Sequence, residues 1–214
     1  MASSIHKLIT IGLPQNESNL LLLEGSSVAT WFGADRANID PRVGGDYEVF
    51  WKPGTSVDST EGCKIVAMDS ESFVVSWRGP TKHVHFPVME SVGSTSVGFF
   101  LSSEGEQTKI AVRHEGFGSG QEWEQARQYY EERWNLWAHN LELLGKVACR
   151  IKTATDMART LSEASPAENA KSAISFIAKP AAGARRRFDF SQISLTGGTA
   201  FGNDTVLRNV ADQA

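Results

Sequence analysis

Two histidines stand two residues apart in KHVHF, His83 and His85. On an extended chain they share a face, which is half of a metal site. No third ligand type stands nearby, and Cys63 and Cys149 lie in unrelated contexts without a CxxC or a Cys/His cluster. Neither a zinc site nor a disulfide framework is therefore expected, and no cofactor motif is present. His114, in KIAVRHEGF, alternates with Thr108, Ile110 and Val112, so it faces the same way as they do. An imidazole among apolar neighbours can serve as acid or base, which makes His114 the one catalytic candidate; a lone strand-end histidine is more often a hydrogen-bonded structural residue. Trp77-Arg78 closes the run SWRG. The arginine suits an anionic ligand, or a carboxylate on a neighbouring strand such as Asp46 or Glu48. No Ser-His-Asp, Cys-His, Walker or dinucleotide pattern occurs in its required context. The TGG of LTGGTAFGND lacks the strand, lysine and helix of a phosphate loop.

The elements that must position these residues read clearly. HKLITIGL (6–13) alternates as a strand and Pro14 stops it. Residues 15–34 form a compact helical region broken at Gly25, with Ser26 or Ser27 placed to cap a second short helix. Asp40-Pro41 marks a turn, and Gly44-Gly45 permits a bend or close approach that side chains forbid. A strand follows, with Tyr47, Val49 and Trp51 on one face. Further strands are expected at 61–69, 72–79, near 83–90, at 96–104 and at 107–117. The turns between them are too short for parallel crossovers, so the sheet is antiparallel.

From SGQEWEQARQYYEERW onward the period changes. Ser119 and Glu122 stand at capping-box spacing. Trp123, Ala126, Tyr130, Trp134, Trp137, Leu141, Leu144 and Ala148 recur at steps of three and four, the signature of a helix of about eight turns with one apolar stripe. Arg133 and His139 fall off that stripe. Three tryptophans on one stripe need a concave partner, and the sheet is the candidate.

WFGADRANIDPRVGGDYEVFW, the EG before KIVAMD, FVVSWRG, and TKIAVRHEGF followed by a tryptophan and a long helix resemble the activators of the heat-shock ninety ATPase and their bacterial homologues. That family belongs to the START-related, birch-pollen-allergen superfamily, and the resemblance covers roughly residues 5–148. It implies an α+β helix-grip fold: a curved antiparallel sheet around a long C-terminal helix, with two short helices between the first two strands and a C-terminal extension. Roles found in such proteins include ligand binding, chaperone regulation, stress responses, and cyclisation or hydrolysis; fold likeness does not choose among them.

The 214 residues divide into a domain over 1–150 and an extension over 151–214. The extension reads as helical over about 152–179, then as loosely patterned sequence containing GARRRF. Residues 1–150 carry 13 Lys and Arg against 19 Asp and Glu, and 151–214 carry 8 against 6. An acidic body disfavours nucleic acid. No apolar run reaches the roughly 18 to 20 residues of a membrane span, and a reduced, cytoplasmic protein is expected. The leading expectation is a cavity between sheet and helix for an apolar or aromatic ligand. Its lining would be Tyr47, Trp51, Trp77, Phe99, Tyr130, Trp134 and Trp137, with His114 or Arg78 fixing the polar end. The alternatives are a protein-interaction module of the chaperone-activator kind, and a cyclase, hydrolase or lyase using the same cavity.

Overall fold

The computed structural model describes residues 4–54, 58–79 and 86–164, with backbone only for 161–164. The expected His83 and His85 pair, and the extension beyond 164, lie outside the described residues. The elements run β1 (Ile5–Ile11), α1 (Gln15–Leu23), α2 (Gly25–Phe32), β2 (Arg36–Ile39), β3 (Tyr47–Phe50), β4 (Ile65–Met68), β5 (Ser72–Trp77), a 3-10 turn (Pro87–Met89), β6 (Thr95–Glu104), β7 (Gln107–Glu115) and α3 (Gln121–Ala164). β1, β7, β6, β5 and β4 form one antiparallel sheet in that order, while β2 and β3 pair as a separate hairpin. This is the helix-grip arrangement.

The period-two strands bury alternate residues against α3. β7 turns Thr108, Ile110, Val112 and His114 inward, β6 turns Thr95, Val97, Phe99 and Leu101, and β5 turns Phe73, Val75 and Trp77. On α3 the expected stripe from Ala126 to Ala148 is buried, with Trp123 partly so. The helix spans 44 residues, about twelve turns rather than eight, because nothing in residues 149–164 interrupts it. Lys152 still reaches the body, pairing with Glu17 at 2.7 Å.

Gly44 and Gly45 have distinct jobs. Gly44 sits at φ +81°, and a Cβ on Gly45 would lie 2.1 Å from the Asp40 carbonyl. The loop they shape also docks on β4, through Gly44 N–H to Ile65 O (2.7 Å) and Ile65 N–H to Gly45 O (2.9 Å). Two adjacent glycines thus fold the β2–β3 hairpin onto the edge of the main sheet.

Several expectations need correcting. The segment 36–39, to which no element is assigned, is a strand paired with β3. The apolar run ending at 90 holds a 3-10 turn, since Pro87 has no N–H to give a ladder. Neither Ser26 nor Ser27 caps α2; the N-cap is Glu24, and Gly25 is needed because a Cβ there would sit 2.7 Å from the Ala37 carbonyl. The capping box also fails to form. α3 begins at Gln121 with Gly120 accepting from Glu124 N–H, and the Glu122 carboxylate instead accepts from Val88 N–H.

Candidate functional site

The space between sheet and helix is occupied by rings. Phe32, from α2, stacks on Trp31 at 3.7 Å between centroids and meets Trp137 at 4.8 Å, Trp77 at 5.8 Å, Trp51 at 6.0 Å and Trp134 at 6.2 Å. Phe99 stacks on Phe73 at 4.7 Å and edges onto Trp134 at 6.2 Å. Such separations are ring contact and leave no ligand-sized gap between those rings. Tyr47, Trp77, Phe99, His114, Tyr130, Trp134 and Trp137 are thereby brought into one buried cluster, with Trp51 half-buried at its margin. Phe32 and Trp31 are among the members that sequence reading left out of the site; their helix is short, and its inward face becomes evident only once α2 is placed.

His114 is fully buried and both ring nitrogens are engaged. The Trp134 indole N–H donates to Nδ1 at 3.1 Å, which puts the ring proton on Nε2, 2.8 Å from Thr95 Oγ1. Burial lowers its pKa to about 3, so the ring is neutral at ordinary pH. An imidazole with no free lone pair is a structural strut; as arranged it offers nothing to a substrate proton.

The other polar tips of the cluster divide into two sets. Trp31 donates to Leu21 O (3.0 Å), Tyr47 to Leu22 O (3.1 Å) and Trp51 to Phe32 O (3.2 Å), which ties α1 and α2 to the core. Trp77 Nε1 and the Tyr130 hydroxyl, both buried, have no hydrogen-bond partner. The two lie close enough for the indole N–H to favour an ionised phenol, yet short of hydrogen-bonding geometry.

Arg78 does not make the expected pair with Asp46 or Glu48. Asp46 takes Lys64 at 2.7 Å, and Glu48 accepts from Asn38 and from Gly62 N–H. Arg78 lies instead beside the buried Cys63 thiol, whose pKa burial pushes up to about 12, and its Nε is itself unpaired. Among the described residues no three metal-ligating side chains converge, and no described helix is long and apolar enough to cross a membrane.

The solvent side of the sheet carries a feature that the sequence reading passed over. Leu8, Ala111 and Phe100 are direct cross-strand neighbours, Val74 lies one diagonal step away, and Ala67 pairs with Val74. An apolar row therefore crosses all five strands. Leu8 is 67% exposed, and the Arg113 guanidinium lies 4.9 Å over the Phe100 ring. The signal in the sequence is the outward phase of each strand, legible only with the register known.

A five-stranded sheet closed on a long helix, with two short helices packed against that helix, defines a helix-grip protein. Residues 21–145 match the family model described as activator of Hsp90 ATPase homolog 1-like protein, and the chain belongs to that family. Among solved structures, a Mesorhizobium loti protein is similar at 15% identity with TM-score 0.53, covering 66% of this chain and 96% of that one. An AHSA1-like protein from Rhizobium etli is similar at 14% identity and TM-score 0.49, covering 88% and 96%. An HSP90 activator from Plasmodium falciparum is similar at 13% identity and TM-score 0.46, covering 66% and 94%. Among curated proteins none matches. At such identities the structural likeness concerns the fold alone.

Proposed function

We propose that this chain is a protein-interaction module that docks on a chaperone of the Hsp90 class through the solvent face of its sheet. The observation that carries the reading is the apolar row Leu8–Ala111–Phe100–Val74–Ala67, set on an interior already packed with rings. Leu8 and Ala67 are exposed and Ala111, Phe100 and Val74 half-buried; a continuous apolar row that reaches solvent is unusual on a face with no other role. Arg113, beside the row, favours an acidic rim on the partner. Family membership supplies the class of partner.

The test is the steady-state ATPase rate of purified Hsp90 with and without this protein, alongside calorimetric binding. Leu8→Glu should weaken binding about tenfold or more and abolish any stimulation, with the melting temperature unchanged, because the side chain is exposed and its removal costs the fold little. Absence of both binding and stimulation by the wild-type protein would reject the reading.

A second reading, small-molecule binding, is favoured by one observation: Trp77 and Tyr130 keep unpaired polar atoms inside the cluster. An enzyme reading has no comparable support in the arrangement around His114.

A further inference from the structure

We propose that the projecting end of α3 is covered by the chain's own segment 167–179, folded back along it as the second arm of a helical hairpin. This goes beyond partner docking and uses a surface separate from the sheet. It starts from a change of phase in α3. Up to Ala148 the buried stripe faces the sheet, but the positions that would continue it carry Lys152, Thr155 and Arg159. α3 therefore leaves the body after Ala148 and runs on for about four turns, about 24 Å. Along those turns the apolar side chains stand on another face. Val147, Ile151, Ala154 and Ala158 follow one another at steps of four, three and four, and Leu161 is three further on in the sequence. That is the seam spacing of one helix packed on another. Ile151 is 39% exposed, Met157 on the seam's flank is 63% exposed, and Ala154 is exposed. The seam is thus open to solvent at all three.

What it needs comes next in the chain. Pro166 has no N–H, and its ring would meet the carbonyl four residues back, so α3 cannot run through it; the residue before a proline is also pushed to extended geometry. Ser165-Pro166 therefore suits the short connection, roughly two to five residues, that turns one helix back on another. The sequence beyond it has a seam of its own: Ala167, Ala170, Ile174 and Ile177 stand at steps of three, four and three, with Glu168, Lys171 and Ser175 off it. A helix below roughly 12 to 15 residues is marginal alone in water, so this one requires a partner surface. A two-residue turn sets the register. Ile177 falls opposite Ala154 and Ile174 opposite Ala158, large against small at both levels. A second copy of α3 centred on Ala154 would instead set alanine against alanine. Pro180 ends the returning segment level with Ile151, so Arg185, Arg186 and Arg187 depart from the body end of the helix and not from its tip.

The first arm of the test is hydrogen exchange of the full chain, read by mass spectrometry on peptides from 167–179. Those amides should exchange about tenfold or more slower than in an unstructured peptide of the same sequence. Ala154→Glu, at an exposed helical site outside the core, should return them to the free rate with the domain's melting temperature unchanged. The second arm combines Ala154→Cys with Ile177→Cys in a Cys149→Ser chain, Cys63 being buried, and adds a short bismaleimide. That pair should link within one chain, whereas Asp156→Cys, on the far side of α3, with Ile177→Cys should not. Free-rate exchange over 167–179 in the wild-type chain would reject the hairpin. Links between chains would give the seam to a second copy and overturn it. Protection that survives Ala154→Glu, or equal linking of the two pairs, would overturn this face as the seat of the segment. None of these readouts involves the chaperone, so the hairpin stands or falls apart from docking.

Discussion

Burial of His114 makes the fold sensitive to mild acid, and the size of the effect follows from its surroundings. In the unfolded chain an ordinary histidine titrates near 6.5, whereas burial lowers the folded value to about 3. Between these values the unfolded chain binds a proton that the folded protein cannot accept, so stability falls as pH falls. It is fully present above about pH 6.5 and is lost progressively towards pH 3. The whole window is worth about 5 kcal/mol, since each tenfold change in proton affinity is worth about 1.4 kcal/mol. Carboxylates complicate the lower half, so the clean interval is pH 7.5 to 5. There the linkage integral gives a loss of about 2 kcal/mol.

The assay is urea unfolding, followed by tryptophan fluorescence, at half-unit steps across that interval. The wild-type midpoint should move down with unchanged slope. His114→Gln should lower stability at pH 7.5 through imperfect replacement of the bonds to Trp134 and Thr95, and should remove about 2 kcal/mol of the pH dependence. A wild-type midpoint that is flat from pH 7.5 to 5, or a variant with the same dependence as wild type, would refute the account of a neutral, doubly bonded ring.

Trp134→Phe keeps most of the ring volume but removes the donor to His114 Nδ1; a loss of about 2 kcal/mol is expected in the same unfolding assay, the cost of an acceptor left buried and unpaired. Gly45→Ala should cost about 3 kcal/mol, since its Cβ would meet the Asp40 carbonyl at 2.1 Å, whereas Gly44→Ala, with open space around its Cβ, should cost about 1 kcal/mol for its left-handed backbone. Lys152→Ala breaks the pair with Glu17, yet both side chains are partly solvated, so its stability should change by less than about 1 kcal/mol.

The order of elements was legible because each main element has its own period. The α3 stripe repeats at 3.6 residues, and β5 and β7 alternate without a break. β2 was not legible. Arg36–Ile39 has no apolar run, and what makes it a strand lies elsewhere in the chain: pairing with Tyr47–Phe50, and α2 resting on Ala37 through Gly25. The site was legible by membership only. Alternation puts Tyr47, Trp77 and Phe99 inside, but whether the inside is empty or full depends on Trp31 and Phe32, which reach the cluster from a separate helix. His114 shows the same limit: its phase gives its direction, while its chemistry depends on Thr95 and on Trp134, 20 residues away along the chain.

The two proposed activities use opposite faces of the same strands, and the pleat separates them. On β7, Ala111 and Arg113 face the solvent row while Val112 and His114 face the rings. On β5, Val74 belongs to the outer row and Trp77 to the inner pair. A step of one residue along β7 therefore changes which activity a substitution touches. Changes at Leu8 or Arg113 should leave the packing of the ring cluster intact, and Tyr130→Phe should leave docking intact, because neither alters the packing that holds the other face. Coupling between the faces would have to pass through the strands themselves. The ring contacts from Phe32 to Trp77 and Trp134 hold β5 and α3 in fixed relation, so the physics favours two independent surfaces on a rigid sheet over a switch between them.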